Sequence, residues 1–165
     1  MTSALNVVPG TSEISTGVRD TEAMAQGLEN MLADTYRLVF KTHAVHWNVE
    51  GPMFFAVHNL TEEQYEDMFK AADEIAERIR SLGQLAPASM NSIVSNSVIQ
   101  DNEEEQSAGD MCQDLAADHE RVAHRLHALI RIAGEHGDPV TEDLAVARAT
   151  FHEKAAWMLR SVSKS

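Results

Sequence analysis

The sequence predicts an all-α fold, a four-helix bundle with one long crossover connection. Apolar residues recur every three or four positions through four long segments, which is the period of one face of an α-helix. No segment alternates apolar and polar residues for long enough to form a strand. The 165 residues are 44% apolar and 24% charged, a composition typical of one globular domain that buries its own core.

The first predicted helix follows a tail. Residues 1–18 hold Ser, Thr, Gly and Pro without periodicity, so we expect a flexible N-terminal tail ahead of a folded domain over residues 19–165. The helix begins near Asp20 and ends before Gly51 and Pro52, which favour a turn. Its predicted buried stripe is Leu28, Met31, Leu32, Thr35, Leu38, Val39, Thr42, Val45 and His46.

The second helix is expected to run from Pro52, which suits a first turn, to about Leu82, with Gly83 as its terminator. Residues 83–100 form a connection of about 18 residues, which is long for a helix–helix loop. We therefore expect this segment to cross the bundle, with a short helix over residues 92–97.

The third and fourth long helices complete the bundle. Asp101 and Glu104 have the spacing of a capping box, so the third helix is expected to begin there and to end at residues 134–137. Asp138 and Pro139 open the fourth helix. The predicted stripes are Leu115, Val122, Leu126, Leu129, Ile130 and Ala133, then Leu144, Ala147, Phe151, Ala155, Met158, Leu159 and Val162. Four long helices with one long crossover are typical of a ferritin-like bundle.

The chain is strongly acidic, with 26 Asp and Glu against 13 Lys and Arg and a formal net charge of −13. Such a surface repels nucleic acid and acidic membranes and attracts metal cations. One cysteine, Cys112, excludes an intramolecular disulfide and indicates a reducing compartment. We see no secretory signal, and Lys41, Glu50, Gly51 and Pro52 interrupt the most apolar stretch. We therefore expect a cytoplasmic protein without a membrane span.

The stretch HAVHWNVEGPMFFAVHNLTEE, residues 43–63, contains three histidines among apolar residues. His46 lies on the predicted core stripe of its helix, where it is either a metal ligand or an ordinary buried histidine. The next helix carries one histidine and three acids on one side, which form either a ligand set or a solvated face: His58, Glu62, Asp73 and Glu77.

Distance along the helix limits how these residues can share a metal. Asp73 lies fifteen residues after His58, which is about 22 Å at a rise of 1.5 Å per residue. If both pairs bind the same metal, they come from two copies of the chain in an antiparallel two-fold pairing. The Glu-x-x-His pattern of intrachain di-iron bundles is absent, so a centre within one chain is not expected.

The same residues carry a family resemblance. The order His46-Trp47-Asn48, Gly51, Phe54, His58, Asp73, Ala76-Glu77-Arg78 resembles the signature of Dps, the DNA-binding protein from starved cells, a mini-ferritin family. The resemblance covers about residues 20–163.

The resemblance implies a closed dodecamer with ferroxidase sites between subunits. By position, His46, His58 and Glu62 would come from one subunit, with Asp73 and Glu77 from its partner. Many members have Asp where this chain has Glu62. The implied reaction is oxidation of Fe(II), preferably by hydrogen peroxide and otherwise by O2, with ferric mineral stored in the shell.

Other residues receive secondary interpretations. By analogy Trp47 lies beside the site, although a core aromatic explains it equally well. His43 is expected not to be a ligand. The family has acidic iron channels near the start of the last helix, where Asp138, Glu142 and Asp143 stand; ordinary helix N-terminal acids are the alternative.

DNA compaction is the alternative function, because some relatives bind DNA with lysine-rich tails. Residues 1–40 contain no lysine and only Arg19 and Arg37. Together with the net charge, this composition predicts no direct DNA binding.

Overall fold

The computed structural model describes residues 4–164, and these form helices and connections without a strand. The first three residues of the predicted tail and Ser165 lie outside the described residues. The elements are a short 3-10 helix, Ala4–Asn6, and five α-helices: α1 Thr21–Asn48, α2 Phe54–Ser81, α3 Met90–Asn96, α4 Ala108–His136 and α5 Pro139–Val162. The predicted all-α fold is confirmed. No helix among the described residues is long and apolar enough to cross a membrane.

Two antiparallel hairpins, α1–α2 and α4–α5, make the bundle, and α3 lies on the crossover against α1. The side chain of Asp20 caps α1 by accepting a hydrogen bond from the backbone N–H of Ala23 at 3.0 Å. The turn between the first two helices has a φ of 88° at Gly51, which glycine adopts without a steric penalty. Pro52 lies in this turn rather than in the first turn of α2.

The start of α4 differs from the prediction. Asp101 does not cap a helix, because its carboxylate pairs with Arg37 at 2.9 Å. The helix begins at Ala108, where the Ser107 hydroxyl accepts a hydrogen bond from the Asp110 backbone N–H at 3.2 Å. Ser107 and Asp110 have the same spacing as the predicted capping pair, so the predicted cap was six residues too early.

The start of α5 and most of its predicted buried stripe are confirmed. Ala155 and Leu159 are buried, four further members of the stripe pack half-buried against the core, and Ala147 is exposed. The face against the core is formed by small and polar side chains: Thr141, Ala145, Arg148, Ala149, His152, Ala155, Ala156 and Leu159. Apolar periodicity did not identify the buried polar members of this face, such as Arg148 and His152, because they are not apolar.

The segment before α1 contacts the end of α2. The backbone N–H of Ser12 donates to the Gly83 carbonyl oxygen at 2.8 Å. Gly83 has a φ of 85°, and a side chain there would collide with the Ser12 carbonyl oxygen. The mobility of the tail stays a prediction.

Candidate metal centre

His46 and His58 are joined by two reciprocal hydrogen bonds across the α1–α2 hairpin. His46 Nδ1 lies 2.9 Å from the His58 carbonyl oxygen, and His58 Nδ1 lies 2.9 Å from the His46 carbonyl oxygen. A carbonyl oxygen only accepts, so Nδ1 carries a proton in each ring, and in the neutral tautomer Nε2 keeps the lone pair. The rings stack with centroids 3.7 Å apart. In metal sites, a hydrogen bond from the ring nitrogen that does not bind the metal orients the imidazole and fixes its tautomer.

Glu62 stands one turn beyond His58 and is half-buried, whereas Asp73 and Glu77 are exposed on the same helix. Because α2 is continuous from Phe54 to Ser81, the separation of about 22 Å between His58 and Asp73 applies. Within residues 4–164 of one chain, no three His, Cys, Asp or Glu side chains are grouped as metal ligands. One chain alone therefore brings His46 and His58 together and leaves Asp73 and Glu77 apart from them.

His43 belongs to an aromatic cluster beside the histidine pair. Its ring stacks on Tyr65 and packs against Trp47, with centroids 4.1 Å away in both cases. Tyr65 also packs edge-on against His46 at 5.3 Å. Sequence reasoning missed Tyr65, although its position three residues after Glu62 placed it near the site.

Six aromatic side chains on α1 and α2 are exposed, with Tyr36 against Phe69 and Phe40 against Trp47, and we call this set the aromatic face. Its members are Tyr36, Phe40, Trp47, Phe54, Phe55 and Phe69. Trp47 is 57% exposed and Phe55 is 76% exposed, so in the single chain Trp47 is a surface residue rather than a core aromatic. Exposed aromatic side chains in this number are typical of surfaces that contact another molecule.

The three candidate channel residues occupy different environments. Asp138 is fully buried, and its Oδ1 accepts from Arg78 Nη2 at 2.7 Å and from the Thr141 backbone N–H at 2.9 Å. This carboxylate caps α5 and joins it to α2. Glu142 is half-buried and Asp143 is exposed, so these two remain accessible to a passing cation.

A second histidine pair, which sequence reasoning missed, lies between α4 and α5. His119 Nδ1 and His152 Nδ1 are 2.8 Å apart, and both residues are buried. Burial lowers the pKa of His119 to about 3, and the Arg148 charge adds to this effect. Burial also lowers the pKa of His152 well below its usual value, with further contributions from His119 and Arg148. Both rings are therefore neutral in the folded chain near pH 7.

The buried His119–His152 pair predicts that the free energy of unfolding decreases in acid. Below the ordinary histidine pKa of 6.5, the unfolded chain binds protons that folded His119 does not, so the free energy of unfolding falls from about pH 6.5 down to about pH 3. At 1.36 kcal/mol per pKa unit, we expect roughly 2–3 kcal/mol lost by pH 4.5. Urea unfolding should show a shallower pH slope for His119→Met than for the wild type. The exposed-site control His124→Gln should keep the wild-type slope, and an unchanged slope in His119→Met would contradict the assignment.

His124 is exposed on α4 and lies four residues after Glu120. Glu120, which is spaced to pair with His124, instead receives two hydrogen bonds from Arg160 at 2.6 and 2.7 Å. This ion pair also lowers the pKa of Glu120.

Comparisons with known proteins agree with this architecture. The family model of the ferritin-like domain matches residues 25–164. The DNA protection during starvation protein 2 of Bacillus anthracis is 37% identical over 134 residues, which cover 81% of this chain and 92% of that protein.

Two solved structures extend the comparison. Dps from Staphylococcus aureus superposes with a TM-score of 0.83 at 30% identity, covering 86% of this chain and 95% of that chain. The Dps protein from Vibrio cholerae O1 gives a TM-score of 0.80 at 29% identity, covering 86% and 89%. The latter is described as a member of a broad superfamily of ferritin-like diiron-carboxylate proteins.

Proposed function

The chain belongs to the Dps family of ferritin-like proteins, and from that premise we propose that it oxidises Fe(II) and stores the ferric product. The observation that carries the proposal is the His46–His58 pair, in which both Nε2 lone pairs are free while both Nδ1 atoms are fixed. Imidazole and carboxylate ligands suit ferrous iron, and carboxylates hold ferric iron well. The residues present therefore fit iron as the substrate.

The proposed site is completed by a second copy of the chain. In an antiparallel two-fold pairing of α2 with itself, His58 and Glu62 of one subunit meet Asp73 and Glu77 of its partner. His46 comes from the same subunit as His58, because their hydrogen bonds join them within one chain.

The aromatic face supports this pairing. Asp73 lines a groove of ≈ 330 Å³ together with Tyr36, Ala76 and Met90. Phe54 and Phe55 precede His58 by about one turn and are exposed. When His58 approaches the partner's Asp73, these phenylalanines approach the partner's groove, so one docking arrangement both buries apolar surface and completes the ligand set.

Hydrogen peroxide is the proposed oxidant, with O2 as the alternative. Two Fe(II) ions supply the two electrons that, with two protons, reduce one peroxide molecule to two water molecules. The two Fe(III) ions then hydrolyse to ferric oxyhydroxide and release six protons, so the overall reaction releases four. Because both electrons come from the site, no hydroxyl radical is released. In this way the reaction protects the cell from oxidative damage.

The proposed assembly is a closed dodecamer with tetrahedral symmetry. Mass photometry should show this species under native conditions, and the isolated dodecamer should oxidise Fe(II) with peroxide and retain the iron. A monomer or isolated dimer as the only species would contradict the shell. A dodecamer without peroxide-driven oxidation would contradict the ferroxidase function.

Glu142 and Asp143 are the main residues of the proposed iron-entry channel. The double variant Glu142→Gln/Asp143→Asn should slow iron uptake severalfold without altering the shell, because it removes negative charge near the start of α5. Asp138 is excluded from this variant because its loss would break a buried ion pair. The control Glu13→Gln/Glu22→Gln removes the same charge elsewhere. Equal uptake rates in the two double variants would contradict a role for Glu142 and Asp143 in iron entry.

Direct DNA binding is the second candidate, favoured by the description of the Bacillus anthracis relative. Two arginines are engaged in ion pairs within the chain: Arg37 in α1 pairs with Asp101, and Arg160 near the end of α5 pairs with Glu120. With a net charge of −13, the chain should not retard duplex DNA at neutral pH. A gel shift at low salt without added metal would contradict this expectation.

A further inference from the structure

The centre of the bundle contains buried polar side chains that the proposed iron site does not use. Thr42 on α1 and His119 on α4 are 0% exposed, Gln64 on α2 is 4% exposed, and Arg148 on α5 is 9% exposed. We call these four residues the central polar layer. Six of their side-chain atoms have no hydrogen-bonding partner in the described part of the chain: Thr42 Oγ1, Gln64 Nε2, Gln64 Oε1, His119 Nε2, Arg148 Nε and Arg148 Nη2.

Contacts between helices place the four residues at one level of the bundle. The contacts are Lys41 Nζ to Asp118 Oδ2 at 2.6 Å, the rings of His43 and Tyr65 at 4.1 Å, His119 Nδ1 to His152 Nδ1 at 2.8 Å, and Arg148 Nη1 to Asp67 Oδ1 at 2.7 Å. Each contact involves a member of the layer or a residue within one helical turn of it. The four residues therefore lie at a similar level along the bundle, one on each of the four long helices.

The hydrogen-bonding capacity of the layer is unused. Arg148 Nε, Arg148 Nη2 and Gln64 Nε2 can only donate, whereas Gln64 Oε1 can only accept. The Thr42 hydroxyl and His119 Nε2 can take either role. None of these donors reaches an acceptor, although buried polar groups in folded proteins are almost always hydrogen-bonded.

The charge of the layer selects the kind of ligand. Asp67 approaches only Nη1 of Arg148 from the half-exposed edge, and the layer itself contains no carboxylate. Although Nη1 is paired with Asp67, Nε and Nη2 of the guanidinium remain as donors without partners. They disfavour a cation and favour a hydrogen-bond acceptor of zero or negative charge. The layer is also distinct from the His46–His58 pair, because Gln64 lies about 200° around α2 from Glu62 at 100° per residue.

We propose that the central polar layer binds a small hydrogen-bond acceptor, either water or a monovalent inorganic anion such as a halide, held by Arg148, Gln64 and His119. Both ligands share the property that matters, which is the capacity to accept several hydrogen bonds in a water-sized space. This makes the interior of each subunit a polar binding site separate from the proposed iron site.

A high-resolution crystal structure of the assembled protein, grown in sodium bromide, tests the proposal. Density within about 3 Å of Arg148 Nε and Gln64, with a bromine anomalous peak, would identify the anion form. Density without an anomalous peak would identify the water form. An absence of density, with the layer's donors paired to protein acceptors instead, would overturn the proposal.

A variant pair tests the assignment to Gln64. Gln64→Met removes both amide atoms at similar length, and the bound density should weaken or disappear beside residue 64. The control Gln113→Met changes an exposed glutamine on α4 and should leave the density as in the wild type. Unchanged density in Gln64→Met would show that Gln64 does not hold the ligand and would contradict the site as assigned.

Discussion

Replacing either His46 or His58 by alanine is expected to reduce peroxide-driven Fe(II) oxidation by at least about tenfold, because loss of a residue that only orients a ligand already costs about 10–100-fold. Each imidazole bonds the backbone carbonyl oxygen of the other residue, not its side chain. Alanine at one position therefore leaves the acceptor for the other ring in place. The expected loss reflects one missing iron ligand rather than a collapsed pair.

The matched control is His43→Ala, because His43 is in the same turn of α1 and stacks on Tyr65 and Trp47. It should keep most of the activity. Stopped-flow measurement of Fe(II) oxidation, with mass photometry to verify each assembly, compares the three variants. Wild-type rates in intact His58→Ala shells would contradict the assignment of the site, and so would a loss in His43→Ala as large as in the other two variants.

Helical periodicity predicted the bundle because most core residues of α1 and α4 lie on a single apolar stripe. It failed where the local signals were ambiguous. The segment from Asp101 to Ser107 contains two possible helix starts, and only the tertiary ion pair between Arg37 and Asp101 removes the first. The buried face of α5 depends on alanines and on Arg148, whose inward position could not be read from an apolar pattern.

The sequence likewise predicted those features of the candidate site that depend on spacing along one helix, but not those that depend on contacts between helices. The spacing of His58 and Asp73 required two chains for a shared metal, since helix rise alone sets their distance. The reciprocal hydrogen bonds of His46 and His58 depend on the register of the α1–α2 hairpin, which sequence spacing does not contain. The burial of Asp138 likewise depends on Arg78, sixty residues away in the chain.

The central claim is that each iron site takes ligands from two subunits, and mixed shells of two inactive variants test it. His58→Ala and Asp73→Ala shells are each expected to be nearly inactive, since every site lacks one ligand. In a mixed dimer, one site carries both defects and the other carries neither. Random pairing of equal amounts makes about half of the dimers mixed, so about a quarter of all sites become intact.

The measurement is Fe(II) oxidation by peroxide after the two variants are dissociated, combined and reassembled, with mass spectrometry to verify that mixed dimers have formed. Each variant reassembled alone is the control for recovery caused by the procedure itself. The account predicts that the mixed shells regain roughly a quarter of wild-type activity. Verified mixed dimers with no more activity than the parent variants would show that the ligands do not come from two chains.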